Sequence, residues 1–168
     1  YAVIGSTMGT HIIDVTNPTQ SYEAAFVPGA QQYSVTHRDF FHMGHYLYGV
    51  CDQGTSTLQI IDISNLPNSV NVVYDSDSLI ATSHNMFIDT LNKKLYSTNG
   101  DVLDISNPIS PSFLFHMGFS FHDLYVENDT GYFNCGSNGL QIYEMTTNSP
   151  QYVGSLTSYP DQGGNHSG

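Results

Sequence analysis

Histidine recurs along this 168-residue sequence at a near-regular interval: His37-Arg-Asp, His84-Asn-Met, His122-Asp-Leu and His166-Ser-Gly stand 47, 38 and 44 residues apart. Neutral imidazole is a good ligand for zinc, iron or copper, and Asp39 and Asp123 stand close to two of the four. If the fold gathers these six side chains they form a transition-metal ring. If it does not, each histidine is free to hydrogen-bond a neighbouring repeat and lock repeat to repeat. The second role gives one histidine per repeat without a complete ring, and is the simpler reading.

Other residues with chemical potential carry less. His42 and His45 flank Gly44 in Phe40-FHMGHYLYG, a spacing that suits a metal pair on a helix but falls here in a hairpin turn. His11 and His116 lie in strand-like runs, where a lone histidine is a structural or surface group. Asp75-Ser-Asp77, Asn99-Gly-Asp101 and Asn128-Asp129 offer the oxygen ligands calcium prefers, yet none completes an EF-hand loop. Solvated turn residues are the expectation for them. Cys51 and Cys135 read as buried free thiols, with no positive charge nearby to activate a thiolate. Serine-nucleophile, phosphate-loop and Cys-x-x-Cys motifs are missing from the sequence.

A second periodic series positions the first. Gly9-THIIDVTNPTQ, Ser56-TLQIIDISNLPNSV, Asn99-GDVLDISNPISPSF and Asn138-GLQIYEMTTNSPQYV align, each a β-rich strand running into a polar turn. The acid at the strand end falls at Asp14, Asp62, Asp104 and Glu144, with spacings of 48, 42 and 40 residues. Asp, Ser and Asn side chains accept backbone N–H bonds at such ends, and proline sets the turn that follows. A calcium role would use the same carboxylates.

The elements follow from these two rhythms. Each repeat has a strand after the histidine, a second around a tyrosine (Tyr46-LYGVCDQG, Leu95-YSTNG, Gly131-YFNCGSNG, and Tyr1-AVIGSTMG from the repeat before), a third ending on the acid, and a fourth after the turn. The fourth strands are Tyr22-EAAFV, Val70-NVVYDS, Phe113-LFHMG and Tyr152-VGSL. Helical periodicity is absent, so the fold class is all-β. A period near 40 residues suits the four-stranded blade of a β-propeller better than a solenoid coil or a sandwich. The expected organisation over 1–168 is about three whole blades plus partial ones, with repeats near 1–36 (partial), 37–83, 84–121, 122–165 and the start of another at 166–168.

Composition narrows the partners. Arg38, Lys93 and Lys94 oppose 15 acidic residues, and the net charge of -12 repels nucleic-acid phosphates and anionic headgroups. No run is long and apolar enough to span a bilayer. Low lysine and the sequons Asn128-Asp-Thr and Asn165-His-Ser point to an exported protein.

With the repeats aligned, the sequence resembles the LVIVD-repeat group, whose signature is an apolar strand closing on Asp followed by Ser/Thr, Asn/Asp and Pro. It is also similar to the choice-of-anchor B proteins through Arg38-DFFHMGHYLYGVCDQGTSTLQIIDISNLPNSVNVVYDSDSL, Ser83-HNMFID, His122-DLYVENDTGYFNCGSNGL and Tyr159-PDQGGNHSG. The resemblance implies a secreted bacterial β-propeller of the cell surface, often in longer chains with a C-terminal anchoring or sorting segment such as that of type IX secretion. It carries no established enzymatic activity over to this sequence. The expected function is a non-catalytic interaction module for a protein or glycan partner at the cell surface, or a secreted cargo or accessory subunit. The alternative is a metal-dependent hydrolase or oxygenase using the repeated histidines, with a transition metal or calcium as cofactor.

Overall fold

The computed structural model describes residues 1–146, 148–160 and 163–167. Every regular element among them is a β-strand, apart from one 3-10 turn at Pro18–Gln20. The contacts divide the chain into two compact units: Tyr1–His84 with Asn107–Ser110, and Asn85–Ser106 with Pro111–Gly168.

The first unit holds two antiparallel sheets whose strands follow one another in chain order. One is three-stranded, β1 (Ala2–Gly5), β2 (Gly9–Asp14) and β3 (Tyr22–Pro28). The other is four-stranded, β4 (Arg38–Met43), β5 (Tyr46–Cys51), β6 (Leu58–Asp62) and β7 (Asn71–Ser76). The second unit repeats the four-stranded plan twice. Its strands are β8 (Met86–Asp89), β9 (Lys94–Ser97), β10 (Asp101–Asp104) and β11 (Ser112–His116), then β12 (Asp123–Glu127), β13 (Thr130–Asn134), β14 (Leu140–Glu144) and β15 (Gln151–Leu156).

The third strand of each sheet explains why the sheets pack. Two apolar residues stand in succession before the acid: Ile12-Ile13, Ile60-Ile61, Val102-Leu103 and Ile142-Tyr143. Because successive side chains point to opposite faces, such a pair makes both faces of the sheet apolar at once. Ile60, Ile61, Val102 and Leu103 are all fully buried. The pairing between third and fourth strands shifts register between these two residues in all four sheets. A bulge repeated at one register adds the same twist to each sheet.

Within the first unit, Ile12 and Val27 of the first sheet pack on Leu47 and Ile61 of the second, with Val3, Ala25 and Phe40 around them. Within the second unit, Tyr96, Val102 and Phe115 meet Leu124, Val126, Phe133 and Met145, with Phe87, Phe119 and Tyr143 alongside. The same registers do the work each time. Val3 pairs with Ile12, Tyr96 with Val102, and Tyr132 with Ile142, the last two residues before the bulge in equivalent places. On the fourth sheet that face is open, with Tyr125 50% and Tyr132 38% exposed.

Phe133 sits at the centre of the second core, its ring 4.8 Å from Phe121 and 5.8 Å from Tyr143. It fits because Gly131 holds the position that Leu47 and Leu95 fill elsewhere; a Cβ there would come within 2.6 Å of the Phe133 ring. Replacing Phe133 with Ala is expected to cost about 3–5 kcal/mol in chemical unfolding. Tyr48 and Tyr96 are fully buried with hydroxyls that lack a hydrogen-bond partner. Burial, with a further contribution from Tyr46, pushes the Tyr48 phenol up to about 12. Tyr48→Phe and Tyr96→Phe remove these orphaned donors and are expected to raise stability by about 1 kcal/mol each, read as a higher Tm.

Candidate functional site

The turn acids are built into backbone geometry. Asp14, Asp62 and Asp104 each accept the amide two residues on, from Thr16, Ser64 and Ser106, at 2.8 Å. The side chains and amides of those same residues hold the three carboxyls below the usual aspartate range. Glu144, one methylene longer, instead receives the Thr146 hydroxyl at 3.3 Å. Of the acids expected in solvated loops, Asp75 lies in β7 and Asp101 in β10, and these two and Asp129 are committed to side-chain partners. Asp75 accepts from Thr57 and Gln59, Asp101 pairs with His116, and Asp129 accepts from Asn92.

The repeated histidines meet in pairs within each unit. In the first, the His37 and His84 rings stack with centroids 4.1 Å apart and planes at 14°, and His84 Nδ1 lies 2.7 Å from the Asp52 carboxylate. The amide of His37 donates to the Gln53 side chain at 3.1 Å, while its Nε2 is buried without a partner. In the second, the rings of His122 and His166 are 3.6 Å apart, and His122 Nδ1 is 3.0 Å from the His166 carbonyl. Asn165 and Gly136 exchange both backbone hydrogen bonds at 2.9 Å, fixing this contact. His37 thus touches His84, and His122 touches His166.

The ladders also show an equivalence that letter alignment hides. Counting back four residues from the hairpin ends Met43, Asp89 and Glu127 gives Asp39, Asn85 and Asp123. The Asn85 amide donates to Asp123 at 3.0 Å, and Asp123 also accepts the Leu124 amide at 2.9 Å. Asn85 was missed because an amide carries no metal-ligand signal. Among the described residues no group of three or more His, Cys, Asp or Glu side chains is assembled to hold a metal ion.

The remaining candidates take structural places. His45 lies in the two-residue turn after Gly44, which has φ 61°, and His42 pairs with Leu47 across the hairpin. Cys51 and Cys135 are free thiols, one buried and one half-buried, and burial pushes the Cys135 thiol up to about 11.

The turn acids set a pH dependence with a definite sign. Their folded-state pKa values lie below the ordinary 3.8, so their stabilisation is full above that value and fades as pH falls through the folded values. Because they are exposed, solvent screening keeps the effect small. The triple variant D14N/D62N/D104N is expected to lose less stability between pH 5 and pH 2 than the parent, measured by thermal melts across that range.

The LVIVD repeat matches residues 41–73 and 99–117, which contain the β6 and β10 strands and their acid turns. No curated protein matches the chain in sequence. The crystal structure of the computationally designed Ika4 protein is similar over 75% of this chain and 77% of that one, with a TM-score of 0.54 and 10% identical residues, a likeness of fold. The apolar pair, the closing aspartate and the Ser-Asn turn at Ile60–Asn65 and Val102–Asn107 are therefore copies of one unit, the LVIVD repeat that both stretches match.

Proposed function

We propose that the chain is part of a β-propeller exposed outside the cell, acting as a non-catalytic module that binds a protein or glycan partner. The observation that carries the propeller reading is the shared face. The residue two before each acid is packed by a second sheet at Ile12 and Val102, and at Ile142 it lies on the fourth sheet's open face with Tyr125 and Tyr132. Sheets of one design, stacked face to face and twisted alike, turn about an axis. The recurrence of one histidine at a near-regular interval supports the same arrangement.

A binding role follows from what the turns present. Tyr33 is 80% exposed with φ 68°, and tyrosine supplies apolar area with a polar tip. The acid turns, by contrast, are occupied by their own backbone. Export fits the two sequons and the acidic surface, and no helix among the described residues is long and apolar enough to cross a membrane.

A second reading, a transition metal at the repeated histidines, draws on one observation. Asp52 holds His84 through Nδ1, as a carboxylate orients a metal-ligating imidazole, and the nearby His37 Nε2 is orphaned. Its chemistry would be that of a metal-bound water or an open site for dioxygen.

Two measurements separate these readings. The protein, applied to glycan arrays and arrays of bacterial surface proteins, is expected to give saturable binding to at least one partner; silence on both overturns the interaction module. Metal analysis after mild purification, with His84→Ala and His122→Ala, is expected to find no stoichiometric metal and a lowered Tm in both variants. Metal lost from the variants without loss of fold would favour the second reading.

A further inference from the structure

The position three residues before each turn acid is polar in every sheet, and in three sheets a side chain of the outer strand ties it down. His11 pairs with Glu23, Gln59 donates to Asp75 at 3.0 Å, and Asp101 pairs with His116 at 2.9 Å. In the fourth sheet the position is Gln141, opposite Ser155. Ser155 instead accepts the Tyr152 hydroxyl at 2.8 Å, and Gln141 turns to donate to the Asn138 carbonyl at 2.9 Å.

The space beside this position differs in step. Around Gln59, where the amide also reaches the Pro28 carbonyl at 3.0 Å, the remaining cavity is about 10 Å³. Around Gln141 it is about 430 Å³, within the size of small-ligand sites. One wall is aromatic, with the Phe119 and Tyr143 rings stacked 5.2 Å apart at 28°. The rim carries the Asn138 and Gln141 amides and the Ser120 and Ser137 hydroxyls. No lining residue is ionised at neutral pH, since the Cys135 thiol there is raised to about 11.

An aromatic wall offers an apolar face, and amides and hydroxyls offer directed donors and acceptors without charge. A sugar ring presents the matching chemistry: a C–H face and a rim of hydroxyls. Carboxylated sugars would meet no cation in the opening and a net charge of -12 around it. We infer that this opening binds one neutral pyranose unit of a glycan. The inference rests on the interaction-module reading and gives it a ligand class.

The test is titration of the whole 168-residue chain, ¹⁵N-labelled, with four neutral sugars, glucose, galactose, mannose and N-acetylglucosamine, and with glucuronate as the charged control, each to tens of millimolar. At least one sugar is expected to shift the Asn138 and Gln141 side-chain amide signals saturably. Gln141→Leu keeps the size and removes the amide, and is expected to weaken binding about tenfold or more. Ser155→Asp restores the carboxylate that Asp75 offers Gln59, closes the opening and is expected to abolish binding. Spectra of both variants report whether each is folded. The inference is overturned if none of the four sugars shifts these signals, if only glucuronate does, or if both folded variants bind like the parent. Array binding that survives Ser155→Asp unchanged would sink this site and leave the interaction module standing; silence on the arrays together with unshifted spectra would sink both.

Discussion

Everything in this fold depends on a strand that is apolar on both sides. Ile60 and Ile61, or Val102 and Leu103, point to opposite faces of one sheet, and all four are fully buried. A sheet carrying such a pair leaves a wet apolar face unless a neighbour covers it, so within each unit two sheets pack face to face. The bulge between the paired residues recurs at one register in all four sheets and gives each the same twist. Burial and twist together convert a sequence repeat into a repeated packing geometry.

Around that apolar centre the polar residues divide their labour by position. At the strand end, a carboxylate accepts backbone amides that would otherwise be unsatisfied where the ladder stops. Three residues earlier, in three of the four sheets, a side-chain pair ties the third strand to the last one. Within each unit, the imidazole that opens one strand set lies on a second imidazole, His37 on His84 and His122 on His166. Most candidate chemistry is thus consumed by the architecture, which is what a repeat needs when its backbone polar groups come to the surface in so many turns.

Function is then a matter of where the repeat departs from itself. Serine in place of an outer-strand acid at Ser155, glycine in place of leucine at Gly131, and an aromatic at Phe119 each loosen or reshape the end of the fourth sheet. A departure at one position is compensated locally, as Phe133 fills the room Gly131 leaves. Where it is not compensated, around Gln141, a cavity remains.

The periodic signals were legible in the sequence because they are local. Strand, acid and proline turn are adjacent in the chain, so Asp14, Asp62 and Asp104 could be assigned to backbone turns from spacing alone, and the strand order followed. The hairpin at Gly44 was equally local. What a side chain meets across a sheet or between sheets was decided only by the tertiary structure. His11 and His116 have partners 12 and 15 residues away, His37 and His84 touch across 47 residues, and Asn85 reaches Asp123 across 38. Those distances close only when apolar pairs on different strands bury one another, which composition and period do not encode. The repeated histidine was visible as a rhythm; its place in ring-to-ring pairs, and the opening at Gln141 where a repeated polar tie is missing, belong to the packing.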